Sequence, residues 1–245
     1  MARKAFCQSC FLLENALTPQ EQIELFQFVH GRDATDWDNF LPCMNPTPKT
    51  LQLSANISEM NQHAIEGKVA ATAPTISIDP NSQPNNVVLE LVERAGDSII
   101  ASSNDTNDTP PPPLLHPIKS ISLAVIRYCI QGTSSTVGCI LPPHVDHCND
   151  GSWVFLFSLG CTASFFVQFP TTDRDVDMDR ERRHAFQMKS GDVLVFDPSS
   201  DARILHGVTS VVNSASDGVA WEEMGETFGV LRESRFGVQC RVSFG

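Results

Sequence analysis

The chain has 245 residues, 41% of them hydrophobic and 19% charged, the proportions of a folded globular protein and not of a disordered one. No apolar run reaches the ~18 residues of a membrane-spanning helix, so no membrane partner is expected. The formal net charge of −12 is spread evenly, with eight Lys/Arg against fourteen Asp/Glu in residues 1–143 and nine against fifteen in 144–245, which excludes the overall positive field of a protein that tracks phosphates.

The first stretch, MARKAFCQSCFLLENAL, starts basic, but Gln8 and Ser9 interrupt its apolar run, so it does not read as a signal peptide. The eight cysteines are scattered, several within apolar runs, where a reduced thiol packs as a small hydrophobe. Both features suggest an intracellular protein of the cytoplasm and/or nucleus, in which the sequons headed by Asn56, Asn104 and Asn107 stay bare. Cys7-x-x-Cys10 has no second pair at finger-like spacing, so zinc is not expected there.

Thr18-Pro19 with Glu21 reads as a helix start, followed by the apolar stripe Ile23, Leu25, Phe26, Val29 and a stop at Gly31. Trp37 lies in DATDWDNFLP, and residues 45–83 are polar and punctuated by proline. A second apolar helix is predicted over 86–95, and SSNDTNDTPPPP at 102–113 reads as an exposed loop with a polyproline end.

From Ile118 the pattern changes to short apolar or alternating runs separated by turn residues: SISLAVIRYCI, WVFLFSLG, TASFFVQF, DVLVFDP and RILHGV. Five or more strands so spaced predict two packed sheets, a mainly β jelly roll (double-stranded β-helix) with N-terminal helices. Two insertions are expected, at about 170–187 and 210–229. The first carries the basic cluster Arg180, Arg182, Arg183 and His184 behind Asp173, Asp175, Asp177 and Asp179, which reads as a solvated charged hairpin. Core packing is the expected role of Trp37 and Trp153, ahead of stacking on a substrate.

Three residues suggest a metal face. His144 and Asp146 stand two apart in PPHVDHCND, a spacing that points both to one side of an extended strand. With His206, in DARILHGV, they make two histidines and one carboxylate, the set that leaves open positions on a non-haem Fe(II). The tail ESRFGVQCRVSFG places Arg235 and Arg241 six apart, on one face of a strand. Phe236, Val238, Cys240 and Val242 take the other face, so the strand reads as half-buried with arginine inward. An inward arginine calls for an anion, and a dicarboxylate suits its forked donors.

In this order the motifs resemble the AlkB family of Fe(II)- and 2-oxoglutarate-dependent dioxygenases. The match runs through Arg127-Tyr128, His144-x-Asp146, Ser158-Leu159-Gly160, SGDVLVFDPSSDARILHGV and the paired arginines, and it covers 115–245 well and the first hundred residues loosely. The resemblance implies one domain over 1–245, with 1–114 a helical region shaping the substrate lid and 115–245 the jelly-roll core. It implies that His144, Asp146 and His206 bind Fe(II). Arg235 and Tyr128 would hold the far carboxylate of 2-oxoglutarate, with Arg241 at the iron end near Asp146. O2 would be the second cosubstrate. The family pattern is broken at Ile126, Gly237 and Gln239, where asparagine, asparagine and threonine are usual, and at Cys148, where an acidic residue can read the base. The implied activity is oxidative demethylation of N-alkylated nucleobases in DNA or RNA, with methylated nucleic acid as partner. The alternatives are an oxygenase of the same fold acting on a protein or small molecule, and a non-catalytic jelly-roll binding module.

Overall fold

The computed structural model describes residues 2–30, 76–78, 80, 86–106, 112–129, 136–137, 141–146, 151–169, 182–212 and 226–245. The readings of Trp37, Cys148, Arg180 and the 45–75 stretch fall outside these residues.

The chain opens not with a helix but with a hairpin, β1 (Ala2–Cys7) and β2 (Cys10–Glu14), in which Cys7 pairs with Cys10 across the turn. Among the described residues, the first helix of the 1–114 region is α1 (Pro19–His30). Alternation explains the difference. Cys10 and Leu12 point to one buried layer and Phe11 and Leu13 to another, so a strand covered on both faces reads as a continuous apolar run.

The start of α1 is a capping box. The Thr18 N–H donates to Glu21 Oε2 at 2.7 Å, and the Glu21 N–H donates back to Thr18 Oγ1 at 3.3 Å. Arg94 pairs with Glu21 and donates to Ala16 O at 3.0 Å, tying α1 to α2 (Val87–Thr106). Asn86 caps α2 by accepting from the Val88 N–H at 2.9 Å. This helix runs eleven residues past the predicted end and replaces the first part of the predicted 102–113 loop. Its polar second half is held by Ile99, which is fully buried, while the hydroxyls of Ser98, Ser102 and Ser103 are satisfied by the carbonyls of Arg94, Ser98 and Ile99. Arg3 donates to Ile99 O and to Ser103 Oγ and anchors the hairpin on the same turn.

The remaining elements are β3 (Ile76–Ile78), a 3-10 turn (Pro112–Leu115), β4 (Ile118–Cys129), β5 (Thr136–Val137), β6 (Leu141–His144), β7 (Trp153–Gly160), β8 (Thr162–Phe169), β9 (Arg182–Met188), β10 (Val193–Phe196), β11 (Leu205–Val212), α3 (Glu226–Glu233) and β12 (Ser234–Phe244). They form a seven-stranded sheet in the order β1-β2-β10-β7-β12-β4-β3 and a smaller sheet β5-β11-β8-β9, with β6 also paired to β11. All pairings are antiparallel. From β6 to β12 the chain repeatedly crosses between the sheets, which is the predicted jelly roll.

The two insertions are shorter than expected. Residues 182–188 are a strand paired with β8, and 226–233 are a helix. Arg183 is exposed, with its guanidinium 4.1 Å above the Phe166 ring.

Two apolar layers result. One lies between the large sheet and the helices and contains Phe26, Val92, Ile99, Trp153, Phe155, Phe157, Phe236 and Val238. Trp153 stacks near Phe11 there, at a centroid distance of 6.5 Å, which is the core role expected of it. The other lies between the sheets and contains Leu12, Tyr128, Val154, Phe165, Met188, Leu194, Phe196 and Val208. The half-buried reading of β12 is thus corrected: its Phe236, Val238, Cys240, Val242 face is buried under the helices, not turned to solvent.

The corner between β7 and β8 depends on Gly160, at φ +80°. A Cβ there would lie 2.3 Å from Ser234 O and 2.8 Å from Leu231 O, both backbone atoms. Gly160→Ala should destabilise the protein by roughly 2–4 kcal/mol, since positive φ and a backbone clash act together. Denaturant titration checks this; a loss below 0.5 kcal/mol, the scale of an ordinary surface substitution, would mean that the corner rearranges freely.

Candidate metal and anion site

β6 and β11 run side by side with His144 directly opposite His206. Gly207 allows this approach, since a Cβ there would sit 2.7 Å from Leu141 O. The imidazole centroids are 4.3 Å apart. Asp146 lies just beyond the end of β6, not within it, so simple strand alternation does not place it. It still converges: Asp146 Oδ1 is 3.8 Å from His144 Nε2, and one ligand atom from each of His144, Asp146 and His206 lies within 4.8 Å of the others. Among the described residues this is the group of His, Cys, Asp and Glu side chains that could share one ion.

The surroundings suit metal ligation. His206 is 5% exposed, lying between Phe196 at 4.8 Å and Phe165 at 6.2 Å. Its Nδ1 is 3.1 Å from Ile204 O, so the proton on that nitrogen is donated to the carbonyl and Nε2 is left as a lone-pair donor. Burial, with the neighbouring His144 second, pushes its pKa down to about 4, so the ring is neutral at pH 7 as a ligand must be. The Gln239 amide donates to Asp146 Oδ2 at 3.4 Å. The sequence marks Gln239 only as a departure from the family pattern; this contact gives it a place beside the carboxylate.

On the same inner face of β12 sits Arg235, 1% exposed. It pairs in register with Tyr128 on β4, and its guanidinium carbon is 5.6 Å from the Tyr128 ring centroid. Its Nη2 donates to the Met188 sulfur at 3.2 Å, a weak acceptor, and its Nε has no hydrogen-bond partner among the described residues. Burial pulls its pKa down, opposed in part by the charges of Tyr128, Asp192 and Cys161. A buried guanidinium so placed fits an anionic group. Arg241 occupies the same face, opposite Ser122 and Val154, and its buried Nε is also without a partner. The structure thus brings His144, Asp146 and His206 together, and Tyr128 with Arg235. Beside Asp146, the described side-chain contact from β12 comes from Gln239.

No family model matches the sequence, and a search of curated proteins returns no match. Among solved structures, the chain is similar to OsALKBH1, with a TM-score of 0.49 and 17% identity, covering 98% of this chain and 99% of that one. It is similar to a prolyl-4-hydroxylase from Pseudomonas putida, with a TM-score of 0.44 and 11% identity over 97% of this chain and 93% of that one. A 2OG-Fe(II) oxygenase family oxidoreductase from Burkholderia pseudomallei aligns over 52% of this chain and 44% of its own, at a TM-score of 0.29 and 15% identity.

Proposed function

We propose that this protein is an Fe(II)- and 2-oxoglutarate-dependent dioxygenase. The observation that carries the reading is the convergence of His144, Asp146 and His206 within 4.8 Å, in the same inter-sheet layer as the buried Arg235, whose Nε has no hydrogen-bond partner among the described residues. Iron held by His144, Asp146 and His206, with 2-oxoglutarate and O2, would supply oxidative hydroxylation coupled to release of succinate and CO2.

The chain's own residues do the binding and orienting. His206 is held by Ile204 with Nε2 free, and Phe165 and Phe196 keep water from its ring. Asp146 provides the anionic ligand, steadied by Gln239. Arg235 would hold the far carboxylate of 2-oxoglutarate, with Tyr128 beside it. Arg241 would be the donor toward the metal end. Gln239→Leu should lower metal affinity about tenfold, the lower end of the effect of losing a group that orients a ligand, without unfolding the chain. Chelator competition measures it; an unchanged affinity would remove Gln239 from the site.

The finer reading is that the substrate is an N-alkylated nucleobase in DNA or RNA, extruded into the pocket, whose hydroxylated methyl group leaves as formaldehyde. The order of motifs supports it. The charge of −12 and the seating of Arg183 on Phe166 weigh toward a protein or small-molecule substrate of the same chemistry. The deciding experiment measures iron-dependent succinate and formaldehyde release across methylated DNA and RNA oligonucleotides. Formaldehyde from one of them supports the demethylase. Succinate without formaldehyde from any of them moves the substrate to another class. Absence of both, in iron-loaded protein, overturns the oxygenase.

A further inference from the structure

Cys7 and Cys10 have no place in the proposed site. They end β1 and begin β2, with Gln8 and Ser9 as a two-residue turn between them, and they face each other in the hairpin register. Directly opposed residues of an antiparallel pair hold their Cα atoms about 4.5 or 5.5 Å apart, depending on whether they exchange backbone hydrogen bonds. Both spacings fall within the ~4.4–6.8 Å that a disulfide spans. Opposed residues also send their side chains to one face. Here both thiols join the layer between the sheets, Cys10 fully buried and Cys7 partly exposed against it.

The free thiols are already drawn together. Cys7 Sγ accepts from the Ser9 N–H at 3.3 Å and from the Cys10 N–H. Its sulfur therefore lies over the turn, toward Cys10. The turn itself is held by β10, because Ser9 O accepts from the Asp197 N–H at 2.9 Å and Cys10 pairs with Phe196. A disulfide can close by side-chain rotation with the strand register kept.

The surroundings favour a disulfide over a thiolate. Burial raises the pKa of both thiols; at Cys7 the two N–H donors oppose the rise and the charge of Asp197 adds to it. Neither sulfur is a standing nucleophile. A disulfide is uncharged and suits the apolar layer.

We propose that Cys7 and Cys10 form a reversible disulfide at the tip of the N-terminal hairpin, closed by a small disulfide oxidant of the glutathione class. Cys7, the more exposed of the two, is the entry point. It loses its proton and attacks one sulfur of oxidised glutathione, whose S–S bond breaks and releases one glutathione. Cys10 then loses its proton and attacks Cys7 Sγ, displacing the second glutathione. The two protein thiols give up two protons and two electrons, and one oxidised glutathione becomes two reduced ones. The link would stand beside Phe6, which stacks on Phe186 of β9 at 5.1 Å, and across from Phe196, whose ring is 4.8 Å from His206.

The test equilibrates the full-length protein in glutathione buffers from fully reduced to fully oxidised, with chelator present, then blocks free thiols with iodoacetamide and cuts at Lys and Arg. Cleavage after Lys4 and Arg32 releases residues 5–32, a peptide whose only cysteines are Cys7 and Cys10. In oxidising buffer this peptide should lack two hydrogens and carry no alkyl group, and dithiothreitol should return it to the doubly alkylated form. The folded chain should close in a buffer roughly tenfold more reducing than the same chain in urea, because the hairpin register raises the effective concentration of one thiol at the other. Cys10→Ser should instead accumulate a glutathione adduct on Cys7. A doubly alkylated peptide in oxidised buffer, a stable glutathione adduct in the parent, or a bond from either residue to another cysteine overturns the proposal. Equal closing points in the folded and the urea-unfolded chain also overturn it, since the fold then contributes nothing. None of these outcomes depends on iron or 2-oxoglutarate, so the oxygenase reading stands or falls separately.

Discussion

His144→Ala abolishes iron retention and 2-oxoglutarate turnover together. A three-ligand face has no spare contact. Taking ~10–16 kcal/mol for a four-ligand zinc site as the scale, one ligand contributes about 3–4 kcal/mol, or two to three powers of ten in affinity. Folding should be little changed, because His144 is only partly buried and its backbone pairing with β11 survives in the variant. The metal-free variant carries a second signature. His144 is the second cause of the lowered His206 pKa, after burial, so its removal should move the His206 titration up from about 4. Burial remains, so the value should stay below the ordinary 6.5. Metal analysis after gel filtration and NMR titration of the His206 ring read the two effects. Full iron retention in a folded variant would remove His144 from the ligand set.

Arg235→Lys weakens 2-oxoglutarate binding by on the order of a hundredfold while iron retention is unchanged. Lysine preserves the formal charge but not the planar fork, and one point donor replaces two parallel ones. Losing one charge-assisted hydrogen bond costs ~1.5–3 kcal/mol, which sets that fold-change. Arg235 is 1% exposed and its Nη2 donates to the weakly accepting Met188 sulfur, so solvent cannot compensate the change. Titration with 2-oxoglutarate under anaerobic conditions gives the number. An unchanged affinity would move the anchor to Arg241, whose buried Nε also lacks a partner.

The residues of the site were legible before the fold because their chemistry is local. His144-x-Asp146, His206 and the paired arginines announce themselves by residue type and spacing, and β4, β7, β8, β10 and β11 by apolar runs between turn residues. The start of α1 was legible for the same reason: Thr18 and Glu21 bond to each other within one turn.

What the sequence left open depends on partners far along the chain. Residues 2–14 join the large sheet because β10, about 180 residues later, provides the pairing edge for β2. The polar end of α2 stays helical because Ile99 is buried against the core and Arg3 reaches across to it. β12 is buried on both faces because helices cover one side and the second sheet the other, a condition no alternation pattern within one strand can express. The sequence by itself determined which residues can bind a metal and an anion, since that is a property of side-chain type. Only the tertiary structure decided that Asp146 turns back beyond its strand to meet the histidines and that Gln239 steadies it, since each is a contact between segments whose register the chain sets only on folding.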